Sequence, residues 1–245
     1  MSEVTNQISS SIDALTQEFN IITHNLANVS TVGYKRRCNA FSKSLEAHQA
    51  GAETPYSPGG VDLNSVLDFS QGSIAETGRP LDFALYGKGF FVIETPEGPL
   101  YTRNGVFRTN QNGQIVDSEG RTVAGEAGPI TIPAGVGLSQ LNIRSDGSIS
   151  AGNAAIGKFK LVDFEDNENK LVPAGANCLR MPEQDIEPVA AEHIVVKQGY
   201  QESSNVKIVE ELVDMIMVSR LYEANMNFIT ASKETSSSII DVAMG

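Results

Sequence analysis

Residues 203–242 read SSNVKIVEELVDMIMVSRLYEANMNFITASKETSSSIIDV, and this stretch decides the architecture. Ile208, Leu212, Met215, Ser219, Tyr222, Met226 and Ile229 step by four and three, and all but Ser219 are apolar. Such a row lies along one side of an α-helix. A second row, Met217, Leu221, Ala224, Phe228 and Ala231, keeps the same steps. A helix with two adjacent apolar stripes needs cover on much of its circumference. Neither Pro nor Gly interrupts the stretch. At about 1.5 Å per residue it predicts a rod of roughly 60 Å, which calls for a partner of similar length.

The N-terminal segment offers one. Ile8, Ile12, Leu15, Phe19, Ile22, Leu26 and Val29 step by four and three, all apolar. Heptads sustained in this way argue for a coiled-coil seam. Asn28 marks the expected end of this helix. Val29 to Val32 are β-branched or hydroxyl-bearing, and Gly33 closes them as the expected left-handed position of a turn. Tyr34 is followed by Lys35, Arg36 and Arg37, the densest basic cluster of the chain. It reads either as a solvated charge run or as a contact with an acidic neighbouring surface. Phe41, Leu45 and His48 could extend a short second helix, and 49–65 read as a loop or linker.

Between Val66 and Gly199 the period falls to two. Leu81 to Tyr86 and Phe90 to Glu94 flank Gly87-Lys88-Gly89, which reads as a tight hairpin turn. Asn104-Gly105 and Asn112-Gly113 are hairpin signals, and Asp146-Gly147 separates Ile143 from Ile149. Lys158 to Phe164 alternates as a single strand would, and Pro182 to Ala191 reads as a loop. His193 to Lys197 is the expected last strand, ended by Gly199. Ser203, Ser204 or Asn205 would cap the long helix, without a capping box. Short strands with Gly-rich turns predict antiparallel hairpins in a sandwich or barrel. The expected fold class is α+β, a mainly-β domain inserted between long N- and C-terminal coiled-coil-type helices. The expected divisions are 1–48, 49–65, 66–200 and 201–245.

The 245 residues carry a net charge of −12 and are 40% hydrophobic. That is enough for a core and too acidic for nonspecific nucleic-acid binding. Cys38 and Cys178 stand far apart and are expected to be free thiols. No apolar run reaches the length of a membrane span, and the N-terminus lacks the pattern of a secretory signal. By that rule alone the chain would be cytoplasmic.

The residues advertise no catalytic, cofactor or metal site. His24, His48 and His193 are isolated. Gly87-Lys88-Gly89 lacks the remainder of a phosphate-binding loop, and Asp163, Glu165, Asp166 and Glu168 lack the Gly and terminal Glu of a calcium loop. On the C-terminal helix, Lys207 with Glu211 and Arg220 with Glu223 are spaced as supporting ion pairs. Arg220, Tyr222, Asn225 and Asn227 crowd one region, as register-setting groups beside a seam or as solvent-facing ones.

Three blocks taken together resemble a known family. Residues 25–36, Asn-Leu-Ala-Asn-Val-Ser-Thr-Val-Gly-Tyr-Lys-Arg, are similar to the N-terminal signature of flagellar basal-body rod and hook proteins. Ser70-Gln71-Gly72, Thr77 to Asp82, Gly87 to Val92 and Tyr101 to Phe107 look like the central signature. Gln198 to Val206 and Ser219 to Asn225 resemble the C-terminal one. Within the family, Gly128 to Pro133 and Ile156 to Phe164 look most like the proximal rod branch, with the distal rod next. Thr23-His24 before the first block and Tyr200-Gln201-Glu202 in the third depart from the usual pattern.

The resemblance implies a structural subunit without catalysis or cofactor. It implies partners among other rod and hook subunits, or copies of the same chain, in a helical assembly that transmits torque across the periplasm. It further implies passage through the flagellar type III export apparatus without a cleaved signal, which replaces the cytoplasmic expectation. The expected subunit-interface residues are Ile8, Ile12, Leu15, Phe19, Ile22, Asn25, Leu26, Asn28, Gly33, Tyr34 and Lys35. On the C-terminal helix they are Ile208, Leu212, Met215, Arg220, Tyr222, Asn225, Met226 and Ile229. Competing readings are a chaperone-like module whose helices capture a client, and an enzyme with an unadvertised cleft in the β-domain.

Overall fold

A computed structural model describes residues 2–39, 65–152, 154–182 and 186–244. The second helix expected at Phe41, Leu45 and His48, and the linker expected over 49–65 apart from Ser65, lie outside the described residues. The chain divides into two compact units. One comprises Met1–Ala27, Arg37–Asp68 and Val206–Gly245; the other comprises Asn28–Arg36 and Phe69–Asn205. The molecule is α+β, with the β structure in mid-chain and a helix toward each end.

In the first unit, helix α1 (Ser2–Ala27) packs beside helix α2 (Ile208–Met244). A short antiparallel pair, Arg37–Asn39 with Ser65–Leu67, belongs to the same unit. The long helix begins at Ile208, beyond the expected caps Ser203, Ser204 and Asn205. Ser203 is held outside the helix by its backbone, whose N–H donates to the Ser73 carbonyl. Asn205 spends its side chain on the Arg36 N–H and on Ser70. Tertiary pairing outcompetes the local cap, which is worth only about 1 kcal/mol.

The second unit is built around the strand Phe90–Glu94. It pairs antiparallel with Leu100–Thr102, Thr122–Gly125 and Leu161–Asp163. The sheet runs outward through Ile115–Val116 to Arg108–Thr109 on one side and through Leu179–Arg180 to Val172–Pro173 on the other. Among the described residues this sheet is open and closes no barrel. A three-stranded sheet joins Leu141–Ile143, Ser148–Ala151 and Ala154–Lys158. Phe83–Tyr86 pairs with Val195–Gln198, and Ile74–Glu76 pairs with Tyr200–Glu202. The last strand expected at 193–197 therefore continues past Gly199 into a further one.

The core gathers Phe83, Phe91, Phe107 and Phe159 with Leu85, Ile93, Ile115, Val123 and Ile149. The Phe159 ring lies 5.1 Å from Phe83, 5.4 Å from Phe91 and 6.1 Å from Phe107, centroid to centroid. The first two are edge-on contacts, the geometry that the ring quadrupole favours.

Two turn expectations change. Asn112-Gly113 and Asp146-Gly147 do join antiparallel neighbours. Gly87-Lys88-Gly89 does not, because the strands on either side of it pair into different sheets. Asn104-Gly105 makes no hairpin either. Asn104 folds back through Oδ1 to accept the Val106 N–H. Gly105 stands where a Cβ would fall 1.9 Å from the Phe83 carbonyl oxygen, so close backbone approach requires glycine there. The single strand expected over 158–164 breaks at Lys160. Phe159, Val162 and Phe164 are the buried positions, so the alternation slips by one residue. Within the loop expected at 182–191, Val189–Ala190 forms a short strand against Leu161–Asp163.

Candidate assembly surface

Helix α1 turns Ile22 and Asn25 fully inward. Ile8, Ile12, Leu15 and Leu26 are half-buried, and Phe19 is exposed. The face of α2 that meets α1 is offset from the expected row. Among the described residues Glu211 and Val218 are its buried ones, with Met215, Ser219, Asn225 and Ile229 half-buried. Ile208, Leu212, Tyr222 and Met226 remain exposed. The second stripe is more open still, with Met217, Leu221 and Phe228 each more than half exposed. Val209, Val213 and Ile216 join them, Val209 at 74%. Arg220 and Asn227 are exposed. A groove of about 350 Å³ runs between the helices, lined by Leu15, Thr16, Phe19, Val218, Ser219, Tyr222 and Glu223.

The offset has a chemical cause. The Asn25 amide donates to Glu211 Oε2 at 3.1 Å and to the Arg37 carbonyl at 2.9 Å, and its Oδ1 accepts the Arg37 N–H at 2.8 Å. A buried amide and a buried carboxylate must meet partners, and they meet each other. That draws the Glu211 side of α2 toward α1 and leaves the apolar row at the margin. Further along, the Asn225 amide reaches Ser11 Oγ at 3.4 Å. A buried polar residue in a helical seam is the usual device for fixing register.

The turn 28–36 belongs to the β unit. Thr31 Oγ1 donates to Asn28 Oδ1 at 3.2 Å, and the Tyr34 N–H bonds the Thr31 carbonyl. Gly33 has φ of +68°, as expected for the turn. A Cβ on it would fall 2.5 Å from the Arg103 carbonyl carbon. Tyr34 is buried. Lys35 corrects both readings of the basic cluster. It is only 4% exposed and pairs with Glu202 Oε1 at 2.7 Å inside its own chain. Arg103 lies on the other oxygen of Glu202, with its guanidinium 5.4 Å from the centre of the Phe90 ring. Burial pushes the Arg103 pKa down, against the pull of Glu202, Glu168 and Asp163.

The sequence places Glu202 and Arg103 only inside motif blocks and Glu211 only opposite Lys207, none of them as a buried partner. One signal was available. A basic cluster in an acidic chain, next to a required glycine, has to find an acid if it folds inward. Which acid it finds depends on a contact between residues 167 positions apart.

Among the described residues no group of His, Cys, Asp and Glu is arranged to hold a metal ion, and no helix is long and apolar enough to cross a membrane. Cys178 is buried, with Arg121 Nη2 at 3.2 Å from its sulfur, and burial raises its pKa. It is a packed thiol, not an activated one.

A mainly-β unit between terminal helices, with the described apolar face of one helix largely uncovered, fits the build of a structural subunit. Comparison with known proteins agrees. Residues 84–151 match the family described as flagellar hook protein FlgE/F/G D1 domain, and residues 197–242 match the flagellar basal body rod FlgEFG protein C-terminal family. The chain is 33% identical to the flagellar basal-body rod protein FlgG of Buchnera aphidicola subsp. Acyrthosiphon pisum, over 91% of its own length and 93% of the relative's. It is 34% identical to FlgG of Agrobacterium fabrum, over 92% and 94% of the two lengths. It is 35% identical to FlgF of Salmonella typhimurium, over 87% of each. The chain belongs to the flagellar basal-body rod protein family, whose members are structural proteins of the flagellum and not enzymes.

Proposed function

We propose that this chain is a subunit of the basal-body rod, built into a helical wall through the uncovered faces of α1 and α2. The observation that carries this reading is the exposure of Val209, Leu212, Val213, Ile216, Met217, Leu221 and Phe228 on one helix. A run of that size on a single chain marks an interaction site. A heterologous contact that does not close a ring propagates as a helix. Long helices of neighbouring subunits, interlocked in that way, supply the stiffness needed to transmit torque across the periplasm to the hook. The partners are other rod and hook subunits. Delivery by the flagellar type III export apparatus without a cleaved signal accords with the family.

On this reading Ile8, Ile12, Leu15, Phe19, Ile208, Leu212, Met215, Tyr222, Met226 and Ile229 form the seam. Asn25 sets the register of α1 and α2, and Gly33, Tyr34 and Lys35 shape the turn instead of touching a neighbour. Within the family we favour the proximal rod on the similarity of the blocks at 128–133 and 156–164. FlgG and FlgF relatives match at similar identity, so the distal rod is the second reading.

The test replaces the parent gene with Leu221→Asp and analyses isolated basal bodies. The variant should be produced at normal level with its β unit folded, and be absent from the rod. Incorporation at the parent level would sink the assignment of the uncovered face of α2 to assembly. A label on the β unit in parent basal bodies separates the two branches. It falls at the membrane-proximal end for a proximal rod subunit and toward the hook for a distal one.

A further inference from the structure

Inside the β unit one carboxylate ties together stretches of chain that are remote in sequence. Glu202 is fully buried. Its Oε1 accepts Lys35 Nζ at 2.7 Å and the Gly72 N–H at 3.0 Å. Its Oε2 lies 3.5 Å from Arg103 Nη1. Its backbone carbonyl accepts the Gly33 N–H at 2.7 Å. Lys35 Nζ also donates to the Ser70 carbonyl at 2.8 Å. Nearby, Asn205 Oδ1 accepts the Arg36 N–H at 2.7 Å, and the Asn177 amide donates to the Val32 carbonyl at 2.7 Å.

Two buried cations thus share one buried anion. Leaving such a charge buried without its partner is strongly destabilising. Lys35 therefore cannot be taken inside while Glu202 is elsewhere, and the turn that carries it stays off the β unit. The ladder of the central strand Phe90–Glu94 does not run through that ion pair, although the Arg103 guanidinium sits over the Phe90 ring. The strand's neighbours, Leu100–Thr102, Thr122–Gly125 and Leu161–Asp163, are all nearer in sequence. Closing long loops is slow and costly relative to pairing near neighbours.

We propose that the Glu202 cluster is a completion latch. The turn 28–36 and the segment 70–72 dock only when Tyr200–Glu202 has paired with Ile74–Glu76, and they can undock while the core around Phe90–Glu94 stays intact. The N-terminal turn is thereby made conditional on the arrival of the C-terminal stretch.

Amide hydrogen exchange on the full chain tests this, with Glu202→Gln and Asn205→Ala as variants. Glu202→Gln keeps the side-chain shape and removes the charge. The Gly33, Arg36 and Gly72 amides should exchange about 100-fold faster, while the amides of Phe90–Glu94 keep their parent protection, as separate opening units do. Asn205→Ala removes a neutral acceptor and leaves no buried charge, so it stays informative if Glu202→Gln unfolds the chain. It should speed Arg36 about 10-fold and leave the strand unchanged. Unchanged turn amides, or a turn and strand that accelerate together in Asn205→Ala, would overturn the latch. Pulse labelling during refolding of the parent chain adds a second arm. The turn amides must gain protection after those of the strand, and simultaneous protection is equally fatal.

Discussion

The β unit and the helix pair solve the same problem in opposite ways. In the β unit, Phe83, Phe91 and Phe159 are completely covered, and Lys35, Arg103 and Glu202 are buried with each other. In the helix pair, α2 covers Glu211 and Val218 and, among the described residues, leaves most of its large apolar side chains in water. One region completes its burial within the chain. The other has an apolar surface that a single partner helix cannot cover, because a helix with two stripes needs neighbours on two sides. A subunit whose ends are unfinished and whose middle is finished can polymerise without unfolding its middle.

The contrast can be broken most severely at the core. Phe159→Ala removes the ring that touches three others, and should lower the stability of the β unit by about 3–5 kcal/mol in urea unfolding. A loss under about 1 kcal/mol would mean that the unit is not organised around this cluster. Next in size is Gly33→Val, which forces a β-branched residue to φ of +68° against the backbone of Arg103. Left-handed backbone of this kind costs about 1–3 kcal/mol, and the clash adds to it. The thermal midpoint of the β unit should fall, and a parent-like midpoint would show that the turn can swing away freely.

Cys178 gives a smaller, pH-dependent effect. Its thiol pKa is raised by burial, so the folded state holds the proton more tightly than the unfolded state does. The associated stability is complete below the ordinary thiol range and is lost as pH rises toward the raised value. One such proton gives a slope of at most about 1.4 kcal/mol per pH unit. Cys178→Ala should flatten the stability profile of the chain above about pH 8 relative to the parent. Identical slopes would refute the burial argument. Smallest of all is Leu221→Asp on the uncovered face, expected within about 0.5 kcal/mol of the parent in monomer stability. A large loss there would show that α2 is already covered within the chain, and the comparison would collapse.

Long-period features were legible in the sequence. The four-and-three steps that begin at Ile8 and those from Ile208 to Ile229 fall on helices, except for Val29, which lies past the end of α1. The left-handed Gly33 was legible too, since only glycine enters that region without strain. Turn dipeptides were legible only where both flanking strands pair with each other. Asn112-Gly113 and Asn104-Gly105 look alike in sequence, but the second serves a close approach to Phe83. The helix start was misplaced for a related reason. Asn205 carries capping chemistry, and the structure spends its side chain on Arg36 and Ser70.

The sequence by itself determined the division into apolar-striped ends and a β middle, and the motif blocks that mark a rod protein. Both are carried by local spacing and residue type, which need no knowledge of distant contacts. Only the tertiary structure decided that Lys35 turns inward to Glu202, that Glu211 meets Asn25 in place of the apolar row, and which face of α2 stays in water. These outcomes depend on where residues more than a hundred positions apart come to lie. A buried charge accepts whichever partner the fold brings to it, and nothing in its own neighbourhood of the chain names that partner.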